Sequence, residues 1–315
     1  MAKKCHIVII GGGHGQAAIC RGVKNIRSAK ISAIVTVADD GGSTGRLRRQ
    51  FHIPAMGDIR NVMIALAESE TMLSNLMDYR FEDPTGSEKD VSGHNLGNLI
   101  LTAMTQQSGS FLEAVQTIGN VLRVKGEIIP ATTQVISLYA RMYDGVIVKG
   151  EANIPNVSNH IKEVFYNQEV IATPQAVQAI RKADLIIYGI GSVYTSILPN
   201  VIIPEIRTAL RKTKAKRVYF CNAMTQPGET DGYSVEDHVQ ALRDHGAMVD
   251  AVVVANDPIP GEIIERYVKE GSSLVTVKKP DHDYEIISRP LLEFDRSLVR
   301  HDPAKIQAVV EELVS

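Results

Sequence analysis

The sequence predicts an α/β protein: a Rossmann-like, doubly wound, mostly parallel sheet with an inserted helical layer and a β-hairpin arm. Three observations predict it. Apolar runs of strand length recur at residues 5–10, 31–38, 184–190, 217–221, 249–255 and 274–277. They are mostly continuous rather than alternating and rich in β-branched residues, as strands buried on both faces require. Helical patterns at 174–183, 204–212, 234–245 and 261–270 lie between them, which is the strand-helix alternation of a parallel sheet. Two segments break the alternation. Residues 57 to about 125 carry helical stripes such as Val62, Met63, Ala65 and Leu66, and residues 134 to about 170 open with Asp144-Gly145 between two β-rich runs, a strong hairpin signal.

Length and composition set the bounds. A chain of 315 residues without a long linker or internal repeat reads as one large domain, residues 1–315, with 44% hydrophobic and 22% charged residues as in ordinary globular proteins. A net charge of -2 gives no electrostatic reason for a nucleic-acid partner. The N-terminal apolar run is too short for a signal peptide or membrane span. Cys5, Cys20 and Cys221 have neither disulfide nor zinc spacing, so a reducing, cytoplasmic setting is expected.

The first strand runs into Gly11-Gly12-Gly13-His14-Gly15. Glycines here allow positive φ and let backbone N–H groups approach a phosphate at the head of the next helix. The dinucleotide fingerprint G-x-G-x-x-G needs its third glycine at position 16, which is Gln16. The second strand ends in Asp39-Asp40-Gly41-Gly42-Ser43-Thr44-Gly45-Arg46. One acid there would hold a ribose; two could hold a metal or serve a transferring phosphoryl group, and an Asx turn with solvated acids is the plainer reading. No metal cluster is indicated by the histidine spacing, and Mg2+ enters only through these acids. Two later loops leave strands the same way, with Gly191, Ser192, Tyr194 and Thr195 in one and Asn222, Thr225 and Gln226 in the other. In a parallel sheet all four loops leave one edge and meet in one crevice. From the helical layer, Arg60 could fork onto a phosphate, and His94 and Asn95 could contact a base or sugar; helix capping is the alternative for Asn95.

GGGHG, TVADDGGSTGRLR, GDIRN, GHNLGN, ADLIIYGIGSVYTSILPN and NAMTQPGETDGYSVEDH together resemble the ordered motifs of the CofD-like superfamily, and more closely the bacterial gluconeogenesis factors of YvcK type. The resemblance spans nearly the whole chain. Ala55-Met56-Gly57 departs from the usual Pro-Pro-Gly, and His14 from the threonine of the transferase branch. The transferase branch moves a phospholactyl group from a guanosine-diphospho donor to a deazaflavin alcohol, and in it Asp39 and Asp40 would be the catalytic candidates. The gluconeogenesis-factor branch implies a regulator that binds UDP-sugars and supports cell-wall synthesis and cell shape on gluconeogenic carbon sources. It also implies that Tyr267 and Arg300 help hold the nucleotide sugar. Three classes stay open: UDP-sugar-binding regulator, transferase using a nucleotide diphosphate donor, and NAD-dependent oxidoreductase, the last disfavoured by Gln16. A homo-oligomer and a regulatory protein partner stay open as well.

Overall fold

In chain order the strands are β1 (Cys5–Gly11), β2 (Ala29–Val35), β3 (Glu127–Pro130), β4 (Leu138–Met142), β5 (Ile147–Lys149), β6 (Ile161–Tyr166), β7 (Leu185–Tyr188), β8 (Lys216–Phe220), β9 (Ala251–Ala255), β10 (Glu285–Arg289), β11 (Leu292–Asp295) and β12 (Leu298–His301). The computed structural model describes residues 4–68, 72–82, 91–157, 159–295 and 298–315. Seven strands form one sheet in the order β10-β9-β8-β7-β1-β2-β3, with every pairing parallel. The order reverses direction at β1, so the gap between the β1 and β7 carboxyl ends is the topological switch point. Ile7, Val8, Ile9 and Ile10 are all 0% exposed, which is why this strand reads as an unbroken apolar run.

Helices close both faces. Gly13–Val23 packs on Gly57–Leu66 and on the terminal Pro303–Leu313, while Pro174–Lys182 packs on Pro204–Lys212. Right-handed crossovers to opposite sides of β1 put these two groups on opposite faces. Local chemistry sets their starts. Thr173 caps the helix begun by Pro174, Ser234 and Asp237 form a capping box, and Asp302 caps the helix begun by Pro303.

The inserted layer comprises Gly57–Leu66, Met72–Asp78, Leu96–Ser108 and Phe111–Val121; residues 69–71 and 83–90 of that stretch lie outside the described residues. The arm is a three-stranded antiparallel sheet, β5-β4-β6, and Gly145 at its tip has φ +89°. One expected strand is absent. Residues 274–277 make only a single bridge, Leu274 to Met224, because the run is half-exposed and the next N–H groups, of Lys278 and Lys279, donate to Glu236. The edge position is taken by β10 instead. Among the described residues no helix is long and apolar enough to cross a membrane.

Candidate functional site

The loops after β1, β2, β7 and β8 meet at the switch point. The Gly11 carbonyl accepts the Thr36 N–H at 3.0 Å and Asn200 Nδ2 at 3.0 Å, which ties the β1 turn to the loops on both sides. Gly13 takes φ +63° and His14 stands exposed at the head of the helix. A Cβ on Gly12 would lie 2.5 Å from Asp58 Oδ2 and 2.7 Å from Thr36 Cγ2, so close neighbours as well as an open cradle demand glycine there. Gln16 is buried, and its Nε2 donates to the Ile9 carbonyl at 3.1 Å and the Ile34 carbonyl at 2.8 Å. The residue that breaks the dinucleotide fingerprint thus joins β1 to β2.

Asp39 and Asp40 shape the second loop. Asp39 accepts the Gly41 N–H at 2.9 Å and the Thr44 hydroxyl, and Asp40 accepts the Ala152 N–H at 3.1 Å. Arg48 is buried and donates to the carbonyls of Ala38 (3.1 Å), Asp39 (2.6 Å) and Ile136. Arg46 instead reaches the Ser92 carbonyl at 2.6 Å. Asp58 accepts the Gly13 N–H, so a carboxylate of the protein sits at the amide where a dinucleotide fold places pyrophosphate. Burial and then Asp39 push Asp58 up to about 7, and burial with Asp39, Asp58, Glu229 and Asp40 pushes Glu151 up to about 8.

Those shifts have a sign. Asp58 binds its proton more tightly in the folded chain, so its contribution to stability is full below the ordinary value of 3.8 and is lost as pH rises to about 7. Asp58→Asn should therefore stabilise the protein at pH 8 by about 1–3 kcal/mol and change little at pH 4. Urea denaturation at the two pH values checks this. A variant that is no more stable than the parent at pH 8 overturns it.

On the β7 and β8 side, Asn222 clasps Gly191: its Oδ1 accepts the Gly191 N–H at 3.1 Å and its Nδ2 donates to the Gly191 carbonyl at 3.0 Å. Ser192 donates to Glu229, and so does Thr195 at 3.0 Å. Glu229 is buried, which raises its pKa, while these hydroxyls and the N–H groups of Tyr194 and Thr195 oppose the rise. Gln226 Oε1 accepts Asn222 Nδ2 at 3.4 Å, and the Thr225 N–H and hydroxyl bind Ser273. The Tyr194 ring packs 5.9 Å from His245 and its hydroxyl bonds that of Tyr233 at 2.9 Å, so this side chain serves the packing beneath the loop.

Arg60 is buried with Nη2 on Asn61 at 2.7 Å and Nη1 on Asn98 at 3.5 Å, within electrostatic reach of Asp58 and Asp39. His94 is buried in the same layer. Asn95 caps Leu96–Ser108, accepting from Gly97 at 2.9 Å and donating to Asp78 at 3.0 Å, which is the capping role. Tyr267 and Arg300 lie near each other: the Tyr267 hydroxyl accepts the Val299 N–H at 3.1 Å, next to Arg300 on β12. Sequence reasoning missed Glu229, Arg48 and Asp58 as site residues.

Among the described residues no three His, Cys, Asp or Glu side chains are arranged to hold a metal ion.

Residues 7–292 match the family described as 2-phospho-L-lactate transferase CofD. The chain is 42% identical over 320 residues to the gluconeogenesis factor of Bacillus subtilis, spanning 100% of this chain and 99% of that one. It is 39% identical over 308 residues to the gluconeogenesis factor of Listeria innocua, covering 96% and 94%. A crystal structure of a UPF0052-family protein from Bacillus halodurans superposes with a TM-score of 0.91 at 41% identity, covering 98% of this chain and 99% of that one. With that match along nearly its whole length, and with the glycine turn and its partner loops gathered at one switch point, the chain belongs to the gluconeogenesis factors of the CofD-like family.

Proposed function

We propose that the crevice binds a nucleotide sugar of the UDP class and that the protein acts in the cytoplasm as a regulator, supporting cell-wall synthesis and cell shape on gluconeogenic carbon sources. The observation that carries this is the convergence of the loops after β1, β2, β7 and β8 at the switch point, in a chain whose relatives are named gluconeogenesis factors. Two details favour a regulator. Asp39 and Asp40 each give a carboxylate oxygen to loop backbone, a structural use of both acids. Gln16 in place of the third glycine, its amide spent on the Ile9 and Ile34 carbonyls, disfavours a nicotinamide dinucleotide.

Thermal unfolding with UDP-N-acetylglucosamine, UDP-glucose, GDP and NAD tests the reading. A UDP-sugar at a hundredfold over its Kd adds about 2.7 kcal/mol and should raise the melting temperature by several degrees. No shift from any uridine or guanosine diphosphate compound at millimolar concentration removes the reading. The family's transferase description supports one rival, group transfer from a nucleotide diphosphate donor. Multiple-turnover donor cleavage by the unaltered protein, abolished when Asp39 and Asp40 are both Asn, would put that rival in its place.

A further inference from the structure

At the amino ends of β1, β2 and β3, on the sheet edge opposite the glycine turn, a cavity of about 760 Å3 is walled by Lys4, Lys24, Arg27, Lys30 and Lys125. These cations come from three separate segments: the residue before β1, the turn that leads from Lys24 into β2, and the residue two before β3. The backbone brings the segments together. The Cys5 N–H donates to the Ser28 carbonyl at 2.9 Å, which sets Lys4 beside the turn. Gly126 takes φ +132° so close to β2 that a Cβ would lie 2.9 Å from the Ile31 carbonyl oxygen, and the Lys125 N–H donates to the Leu66 carbonyl at 2.8 Å. Buried Ile26, Ala29 and Ile31 floor the cavity.

The scaffold accounts for one of the five cations. Lys24 follows the last turn of Gly13–Val23 and its Nζ donates to the Ala67 carbonyl at 3.0 Å, a use that suits a cation at a helix C-terminus. Lys4, Arg27, Lys30 and Lys125 are exposed, and among the described residues their side chains make no hydrogen bond or ion pair. No Asp or Glu lines the cavity. In a chain of net charge -2 this is a concave patch of one sign, and the apolar floor beneath it focuses its field on whatever enters.

We propose that this cavity is a second ligand site, separate from the crevice, for a compact anion carrying two or more phosphate groups. A singly charged anion would meet one cation and leave the others facing each other, whereas an anion with several charges neutralises them together. Arg27 can meet phosphate oxygens in pairs and the lysines meet them as point charges. The volume lies within the roughly 300–1,000 Å3 of small-molecule pockets, and no aromatic ring lines the cavity to stack a base. The site stands at the other end of β1 and β2 from the glycine turn, so the proposal does not depend on the nucleotide-sugar reading.

Calorimetry with inorganic tripolyphosphate, and with inorganic phosphate as its comparator, tests it on the unaltered protein, Arg27→Gln/Lys30→Gln, Lys125→Gln and a control on the β arm, Lys149→Gln/Lys162→Gln. Every substituted side chain is exposed, so all the variants should melt with the parent. The unaltered protein should bind tripolyphosphate at least about tenfold more tightly than phosphate, and more weakly as salt rises. Arg27→Gln/Lys30→Gln should lose about tenfold or more, Lys125→Gln about threefold or more, and the control less than about twofold. Absent tripolyphosphate binding, an equal loss in the control, or unchanged affinity in folded Arg27→Gln/Lys30→Gln overturns the proposal. A loss confined to Arg27→Gln/Lys30→Gln overturns the pocket built from three segments. Flotation with phosphatidylglycerol vesicles separates a lipid surface from a small anion: vesicle binding that Arg27→Gln/Lys30→Gln abolishes, without tripolyphosphate binding, overturns the soluble ligand.

Discussion

Gly15→Ala is expected to destabilise the protein by about 3 kcal/mol or more and to abolish ligand binding in whatever fraction still folds. A Cβ at this position would lie 2.2 Å from the Ile190 carbonyl oxygen, 2.5 Å from its carbon and 2.9 Å from the Gly191 nitrogen. All three are backbone atoms, so no rotamer change relieves the clash. The helix head after β1 would have to separate from the β7 turn, and the Asn222 clasp on Gly191 would move with it. Gly261→Ala is the matched control: it also lies in the first turn of a helix, but its Cβ would meet nothing within 4 Å and its φ is not positive. It should be neutral or slightly stabilising. Denaturant unfolding of the two variants decides the point, and a Gly15→Ala protein within about 1 kcal/mol of the parent would show that the two turns are not in the contact described.

This contact also shows what the sequence can reveal. The parallel sheet is legible because strands buried on both faces must be largely apolar, as Ile7–Ile10 of β1, β7 and β9 are. Edge strands escape that rule. In β10 only Ile287 of EIISR is buried, so the segment shows no apolar run, while the apolar residues at 274–277 line a cavity without joining the sheet. β3 is short and ends in proline, which masks it in a segment that otherwise reads as helical.

The site divides along the same line. Glycine turns announce themselves through backbone chemistry, and Gln16 signals its departure from the dinucleotide fingerprint by position alone. Which carboxylate meets which donor depends on contacts across the fold. Glu229 reaches back 37 residues to Ser192 from a loop with no periodicity, and Asp58 reaches the Gly13 amide from the second residue of a different helix. Arg48 lies on the buried side of its helix, two residues from the more exposed Arg46, and only the fold tells the two apart. Asn95 illustrates the converse, since its cap was legible as an alternative and the ligand contact was not needed to explain it.

Arg300→Ala should weaken UDP-sugar binding by roughly tenfold or more, about 1.5–3 kcal/mol for a charged hydrogen bond, while leaving the melting temperature nearly unchanged. The fold separates this arginine from the neighbours that could otherwise explain it. Asp302 caps the terminal helix, accepting the Ala304 N–H at 2.7 Å, and His301 is held neutral by burial, which brings its pKa down to about 4. Arg300 itself is exposed on β12, paired with Glu293 across the hairpin, and among the described residues its guanidinium makes no hydrogen bond or ion pair. Its strand is anchored independently through the Val299 N–H on the Tyr267 hydroxyl, so truncating the arginine removes no scaffold contact. Tyr267→Phe would release that anchor and should also weaken binding, by loosening the hairpin rather than by removing a donor. Arg300→Lys should not restore affinity, because an ammonium lacks the planar fork that meets a diphosphate or sugar oxygens in pairs. Calorimetry on the three purified variants, with melting temperature as the control, distinguishes these roles. Unchanged affinity in a well-folded Arg300→Ala protein would leave this residue as a solvated charge on the hairpin.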